Sequence, residues 1–230
     1  MGAIILRPVW AAVAVAACAV ASAAQAATVA NGGFEAPDLG GDTVFSFITA
    51  GSVPGWGSSA ADIEIWANGF NGVTSYEGTQ HAEINARAAG TLFQDVAGIA
   101  AGATLTFGFA HRARSGTDVL RFSMIDLGGD GGLGGGDDTT LFSEEFSATT
   151  ASWVLNTGST FAPVTALGGP VRLSFAAIST GSGNASIGNF LDAVTLTAEV
   201  PPAVPVPAGV PLLVSGLAAL ALLRRRRARG

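Results

Sequence analysis

The middle of the chain, residues 28–199, consists of short apolar or alternating runs separated by glycine, asparagine and proline. For example, the apolar side chains of Leu105, Phe107 and Phe109 fall on one face of an extended backbone. Because so many short runs need two packed sheets to bury their apolar faces, we expect one all-β domain, a jelly-roll β-sandwich. Helical periodicity is nearly absent, and the pattern predicts strands over 44–49, 63–67, 81–85, 91–96, 104–111, 119–127, 139–147, 153–161, 171–177 and 190–198.

The predicted domain is strongly acidic, although the whole chain has a net charge of only −6. All 17 carboxylate residues lie between Glu35 and Glu199, where the basic residues are five arginines and no lysine, which leaves this region at −12. Such a surface repels phosphate backbones and anionic lipids and attracts cations. The charge pattern therefore excludes nucleic-acid binding.

The first residues, 1–27, have the parts of a secretory signal peptide. Arg7 supplies the positive charge, an apolar segment follows, and Ala-Gln-Ala ending at Ala26 is a small-x-small cleavage box. We expect cleavage next to Ala26 and Ala27. An alternative is the lipobox-like Val-Ala-Ala-Cys, which would lipidate Cys18. With ordinary cleavage this single cysteine is lost, so the exported domain has neither a disulfide nor a thiolate metal site.

The C-terminus carries an uncharged stretch followed by an arginine cluster. No charged residue occurs over 200–223, and five of the seven residues of 224–230 are arginines. An uncharged segment of this length can cross a bilayer as a helix, with the arginines held in the cytoplasm. Prolines divide the stretch into a linker over 200–209 and a predicted transmembrane helix over 210–223. The pattern fits either a permanent anchor or a tail that is removed.

A motif in the linker favours removal of the tail. Together with the apolar helix and the arginines that follow, it resembles the PEP-CTERM sorting signals of Gram-negative bacteria, in the variant that reads Val-Pro-Leu-Pro-Ala. The resemblance implies export through the inner membrane, transient anchoring there, and cleavage by an exosortase-type protease. The domain is then expected at the cell surface or in the medium of a bacterium that produces exopolysaccharide. The motif consists of Val204, Pro205, Val206, Pro207 and Ala208.

Several short motifs of the domain occur in the order typical of a known family. Asn-Gly-Gly-Phe-Glu ends at Glu35, Val-Pro-Gly-Trp ends at Trp56, and Phe-Leu-Asp-Ala-Val begins at Phe190. With the segments around them, these motifs resemble galactose-binding-like jelly-roll domains, in particular an exported, cell-wall-associated family of unknown function found in plants and bacteria. The chain differs from that family in carrying His81 where a tyrosine or valine is usual, and in lacking a frequent cysteine pair.

The resemblance implies a structural Ca²⁺ between the first and last strands. Glu35 and Asp192 would supply carboxylate ligands, and backbone carbonyls would complete the coordination. The alternative is that Glu35 caps a turn and Asp192 pairs with an arginine. A second, weaker calcium site lies in a glycine-rich segment whose backbone could wrap a cation; the alternative there is a solvated loop between strands. Its aspartates are Asp126, Asp130, Asp137 and Asp138.

Aromatic and hydrogen-bonding side chains of the domain suit sugar binding, because sugar rings stack on aromatic faces and their hydroxyls need polar partners. The candidate rings are Trp56, Trp66, Tyr76 and Trp153. Large aromatic residues also fill cores, so we expect one of the four rings to contact a ligand. The predicted polysaccharide-binding residues are Trp56, Trp66, Asn68, Tyr76, Gln80 and Arg112.

The sequence contains no recognisable catalytic motif. The histidines are His81 and His111, no Gly-x-Ser-x-Gly or His-Glu-x-x-His motif occurs, and His81 with Glu83 on one strand face suits a surface or cross-strand hydrogen bond. We therefore expect a non-catalytic, exported protein of the cell envelope or extracellular matrix that binds polysaccharide. The alternatives are a structural protein that self-associates without a specific sugar and, more remotely, a glycan-active hydrolase.

Overall fold

The computed structural model describes residues 28–41, 44–200, 224–225 and 227–228. The chain divides into two compact units, and the larger, Ala24–Pro202, contains the predicted domain. The strands described in this unit are β1 (Phe45–Thr49), β2 (Gly57–Ser58), β3 (Asp62–Ala67), β4 (Gln80–Glu83), β5 (Thr91–Val96), β6 (Thr104–Arg112), β7 (Thr117–Asp126), β8 (Thr139–Thr149), β9 (Val154–Thr157), β10 (Val164–Thr165), β11 (Val171–Ser179) and β12 (Phe190–Glu199). Short 3-10 turns occur at Ala50–Ser52, Phe70–Gly72 and Gly158–Thr160.

The strands form two antiparallel sheets, which confirms the predicted all-β sandwich. The seven-stranded sheet has the order β1-β3-β4-β12-β6-β10, with β9 also paired to β6, and the five-stranded sheet has the order β2-β5-β11-β7-β8. Each of the ten predicted strands is present, with ends shifted by a few residues. The alternating pattern misses β2 and β10, because two residues are too few to show a period.

The core between the sheets is rich in phenylalanine. Phe107 and Phe109 of β6 point inward, as their alternation predicts, and are at most 3% exposed. They meet Phe122 of β7 and Phe175 of β11 at ring-centroid distances between 4.7 and 5.2 Å. Burying one such side chain contributes roughly 1.5–3 kcal/mol, so these rings are a main source of the sandwich's stability.

Several predicted features of the termini lie outside the described residues. They are the signal peptide with its cleavage site at Ala26 and Ala27, the sorting motif over 204–208 and the transmembrane helix over 210–223, all of which stay predictions. Within the part of the chain that the structure describes, no helix has both the length and the apolar character needed to cross a membrane.

Candidate functional site

The outer face of the seven-stranded sheet, directed away from the core, carries a row of aromatic side chains. Strand register places Phe45 opposite Trp66, and Trp66 opposite His81. Phe190 lies on the same face, because its register partner on β4 is two residues from His81. Further rings join the row from adjoining loops. We call this row the aromatic strip; its seven rings are Phe45, Trp66, Phe70, Tyr76, His81, Trp153 and Phe190.

Neighbouring rings of the aromatic strip are in contact. Ring-centroid distances are 4.8 Å for Trp66 and Phe190, and 4.9 Å for His81 and Phe190. These three central rings are at most 1% exposed, whereas Phe45 and Tyr76, at the two ends, are 43% and 42% exposed. The strip therefore has a buried centre and two ends that reach solvent.

One exposed end of the strip is an aromatic platform formed by Tyr76 and Trp153. The two ring centroids are 6.3 Å apart and the ring planes are inclined at 65°. Nε1 of Trp153 donates a hydrogen bond of 2.7 Å to the carbonyl oxygen of Thr74, which fixes the indole. Because this bond uses the only polar hydrogen of the indole, the half-buried ring presents an apolar face in a defined orientation.

Two polar side chains from the predicted set adjoin this platform. Asn68 is exposed, and its Oδ1 accepts a hydrogen bond of 2.9 Å from the backbone N–H of Ser75, next to Tyr76. Arg112 lies near the end of β6, and its Nη2 donates 2.9 Å to the carbonyl oxygen of Thr150. The guanidinium is thereby tied to the loop that carries the tryptophan of the platform.

His81 lies beneath the platform and is 0% exposed. Its ring centroid is 5.3 Å from that of Trp153, and its Nδ1 is 3.0 Å from Oγ of Ser75. Burial and, to a smaller extent, the charge of Arg112 lower the pKa of His81 to about 3, so the imidazole is neutral at neutral pH. The sequence predicts a surface or cross-strand role for this residue, and the structure places it in the buried centre of the strip.

A buried carboxylate pair lies beside the centre of the strip. Glu64 and Glu83 are register partners and are 2% and 0% exposed. Nη1 of Arg114 donates to both carboxylate oxygens of Glu83, at 2.9 and 3.1 Å, and Nε1 of Trp66 donates to Glu64 at 2.8 Å. Burial raises the pKa of both residues, and the charge of Glu64 further raises that of Glu83, to about 8. The indole of Trp66 and the guanidinium of Arg114, together with the backbone N–H of Gly188, therefore provide hydrogen-bond donors to the buried pair.

The two residues predicted to bind Ca²⁺ accept backbone hydrogen bonds from one segment, residues 76–80. Oδ2 of Asp192 accepts two at 2.9 and 3.2 Å, and Oε1 of Glu35 accepts two at 2.9 and 3.1 Å. Burial raises the pKa of Asp192 to about 7. Among the described residues, no group of three or more His, Cys, Asp or Glu side chains is arranged to hold a metal ion. The calcium site stays a prediction. A cation there would bind carboxylate oxygens of Glu35 and Asp192 that already accept hydrogen bonds from backbone N–H groups.

The glycine-rich segment connects β7 and β8 of one hairpin, which agrees with the alternative prediction of a loop between strands. Its aspartates accept hydrogen bonds from glycine N–H groups of the same segment, so the loop is held by its own backbone. The weaker calcium prediction for this loop is not tested by these contacts. Four such bonds, 2.6–3.0 Å long, are accepted by Asp126, Asp130, Asp137 and Asp138.

Three of the six predicted polysaccharide-binding residues are almost completely buried. Trp56 is 3% exposed and packs against Phe34 at 4.7 Å, Trp66 is 1% exposed beneath Arg114, and Gln80 is 1% exposed with its amide bonded to backbone carbonyls. None of the three offers a ring face or a free amide at the surface, so the candidate site is built without them and their part in binding stays a prediction. The structure brings together the other three predicted residues, Asn68, Tyr76 and Arg112. Trp153, which the sequence names only as a candidate ring, lies with them.

A separate cleft of about 180 Å³ lies where β11 ends, lined mainly by small side chains. Its floor includes Asn85, which bonds through Asn189 to Nε2 of His111 at distances of 3.0 and 3.0 Å. Burial lowers the pKa of His111 to about 4, although the bond to Asn189 and the charge of Asp118 oppose the shift. The described residues that line the cleft include no aromatic or charged side chain, so the platform is the stronger candidate site.

Among the known proteins compared with this chain, similar ones are found only among solved structures. No protein-family model matches the chain, and no curated protein matches it in sequence. The chain is similar to TmCBM61 in complex with β-1,4-galactotriose, at 14% identity and a TM-score of 0.45, covering 74% of this chain and 96% of that one. It is also similar to the CBM22-1 xylan-binding domain from Paenibacillus barcinonensis Xyn10C, at 14% identity and a TM-score of 0.44, covering 70% and 97%.

Proposed function

We propose that this protein is an exported, non-catalytic polysaccharide-binding protein and that the aromatic platform is its binding site. The observation that carries the proposal is the partly exposed pair of Tyr76 and Trp153. Sugar rings have apolar C–H faces that stack on aromatic rings, and a ring that is already fixed loses little freedom when a ligand arrives. The hydrogen bond from Trp153 to Thr74 supplies that fixation.

The surroundings of the platform support a polymer as the ligand. Asn68 and Arg112 place an amide and a guanidinium beside the rings, which can bond to sugar hydroxyls. Tyr76 and Asn68 are exposed, so the surface is open at its edge rather than enclosed. An open site lets a long chain enter and leave on both sides, whereas small molecules are usually held in concave pockets.

Export and processing belong to the same proposal and are supported by the sequence. The signal peptide over 1–27 would direct the chain through the inner membrane, and the motif over 204–208 would direct removal of the tail by an exosortase-type protease. The acidic domain would then act at the cell surface or in the medium. The intact mass of the protein recovered outside the cells would show where both ends are cut.

The binding site is tested by titrating the purified protein with soluble oligosaccharides chosen from a glycan array. We expect Tyr76→Ala and Trp153→Ala each to weaken binding about tenfold or more, because each removes a stacking surface. Phe45→Ala is the matched control, since Phe45 is equally exposed at the opposite end of the strip. Binding by the platform variants that equals that of the wild type, or no binding to any matrix glycan, would contradict the proposal.

A second candidate function, structural self-association, is favoured by the edge strand β1. Val44 precedes β1 and Phe45 begins it, and the two residues are 42% and 43% exposed. Among the described strands, β1 pairs with β3 alone and so lies at the edge of its sheet. Apolar edge strands are ready to pair with another chain. Sedimentation at increasing protein concentration separates the two functions: association abolished by Phe45→Lys, without any glycan binding, would favour the structural role.

A further inference from the structure

The strand that follows the aromatic platform carries an exposed apolar side chain. Leu155 of β9 is 51% exposed, and Trp153, which precedes the same strand, is half-buried. Isolated exposed leucines are common on protein surfaces, but this one lies two residues from a ring of the candidate site. We propose that the glycan bound at the platform continues along β9 and that Leu155 contacts its next sugar. The inference rests on the proposed function.

Strand register places Leu155 on the outer face of the seven-stranded sheet, which is the face that carries the platform. Its partner on β6 is Ala110. Because Phe109 points into the core, the adjacent Ala110 points outward, and Leu155 points the same way. Asp192, the partner of Ala110 on β12, accepts a hydrogen bond of 2.9 Å from the backbone N–H of Tyr76. Ala110 and Asp192 are 0% exposed, so Leu155 is the residue of this row that reaches solvent.

The spacing along the chain makes Trp153 and Leu155 neighbours on this outer face. Trp153 contacts the outer-face rings of His81 and Phe190, and alternate residues of an extended chain on one face are about 6.6–6.8 Å apart. That separation is longer than one six-membered sugar ring, so a sugar stacked on Trp153 and a sugar packed on Leu155 are successive members of one chain. The C–H face of the second sugar would cover apolar surface of the leucine. The complete site therefore takes an oligosaccharide or a polymer rather than a monosaccharide.

A glycan suits this edge of the sheet better than a second protein strand does. Among the described strands, β9 pairs with β6 alone. Long apolar edges favour pairing with another chain, whereas very short edge strands resist it. β9 has four residues, and the carbonyl oxygen of Val154 already accepts a hydrogen bond of 3.2 Å from Nδ2 of Asn156. A sugar packed on the outer face needs the side chain of Leu155 and no backbone group of β9.

The test measures binding of the purified protein to a monosaccharide and to oligosaccharides of increasing length, all prepared from a glycan that the wild type binds. We expect Leu155→Ala to weaken binding of the long oligosaccharides about fivefold and to leave binding of the monosaccharide unchanged, because only the longer ligands reach this residue. Val154→Ala is the matched control, since Val154 is the adjacent residue, is 40% exposed and points to the opposite face of the sheet. It should bind every length as the wild type does.

A second measurement observes the wild type directly. In NMR spectra of the protein with labelled methyl groups, the signals of Leu155 should shift when a long oligosaccharide is added and should stay in place with the monosaccharide. Unshifted Leu155 signals at saturation with the long oligosaccharide would overturn the inference, whether or not the variants fold.

The outcomes separate this inference from the proposed function. If Trp153→Ala loses binding while Leu155→Ala binds every oligosaccharide as the wild type does, the inference is overturned and the function stands. Equal losses for Leu155→Ala and Val154→Ala would also overturn it, because the effect would then not belong to the outer face. If Leu155→Ala abolishes self-association and leaves glycan binding unchanged, the occupant of this edge is a second copy of the chain, and the inference is again overturned. If Trp153→Ala binds normally, or no glycan binds, the proposed function and the inference both fail.

Discussion

At the scale of single residues, Glu83 shows how burial links the charge of one carboxyl to the stability of the domain. Burial and the charge of Glu64 raise its pKa from 4.5 to about 8. A carboxyl with a higher pKa in the folded state binds its proton more tightly when folded. The stability that it contributes is therefore complete below about pH 4.5 and is lost as the pH rises through about 8. Asp192, whose pKa is raised to about 7, contributes in the same direction.

We predict that the thermal unfolding midpoint falls as the pH rises from about 5 to about 8, and that Glu83→Gln makes this fall shallower. Glutamine keeps a polar side chain opposite Arg114 but cannot ionise. Unfolding curves recorded at several pH values test the prediction. Glu145→Gln is the control, because Glu145 is 47% exposed beside Arg121 and should leave the pH dependence unchanged. Parallel pH profiles for the wild type and Glu83→Gln would contradict the explanation.

At the scale of elements, Asp118 joins the turn between β6 and β7 to the loop between β11 and β12. It is 0% exposed and accepts hydrogen bonds from the backbone N–H groups of Arg114, Gly181 and Asn189 at 2.8–2.9 Å. We predict that Asp118→Ala lowers the free energy of unfolding by about 3 kcal/mol or more, because three donors lose a charged partner. Urea denaturation measures the change. Asp95→Ala, which removes a partly exposed partner of Arg172, should cost less than about 1 kcal/mol, and equal losses would contradict the prediction.

Strand β3 shows which features of the fold can be predicted from alternation in the sequence and which cannot. On β3, alternation predicts that Ile65 points inward and that Trp66 points outward, as the structure has it. Alternation does not show that Trp66 is then covered, because the covering groups, Phe70 and Arg114, come from loops. The sequence names Tyr76 and Trp153 as candidate rings but does not predict that they form one platform, because Trp153 is held by a carbonyl 79 positions away and no local pattern relates two such residues.

At the scale of the whole molecule, the excess of carboxylates determines how the domain responds to cations. Four of its arginines already form ion pairs with carboxylates, so most of the acidic residues have no basic partner among the described ion pairs. Any salt should stabilise such a domain somewhat by screening repulsion between like charges. A specific calcium site would add stability beyond this general effect, since an ion that binds only the folded state shifts the unfolding equilibrium.

We predict that Ca²⁺ raises the thermal unfolding midpoint more than NaCl does at equal ionic strength, and that Asp192→Asn removes the difference. Because the pKa of Asp192 is about 7, a proton competes with the cation, and the extra stabilisation should be larger above pH 7 than below it. Asp130→Asn, in the glycine-rich loop, tests the weaker calcium site in the same way. If EDTA leaves the midpoint unchanged and Ca²⁺ acts no differently from NaCl, both calcium predictions are wrong. In that case Asp192 and Glu35 stabilise the fold by accepting hydrogen bonds, mainly from residues 76–80, without a cation.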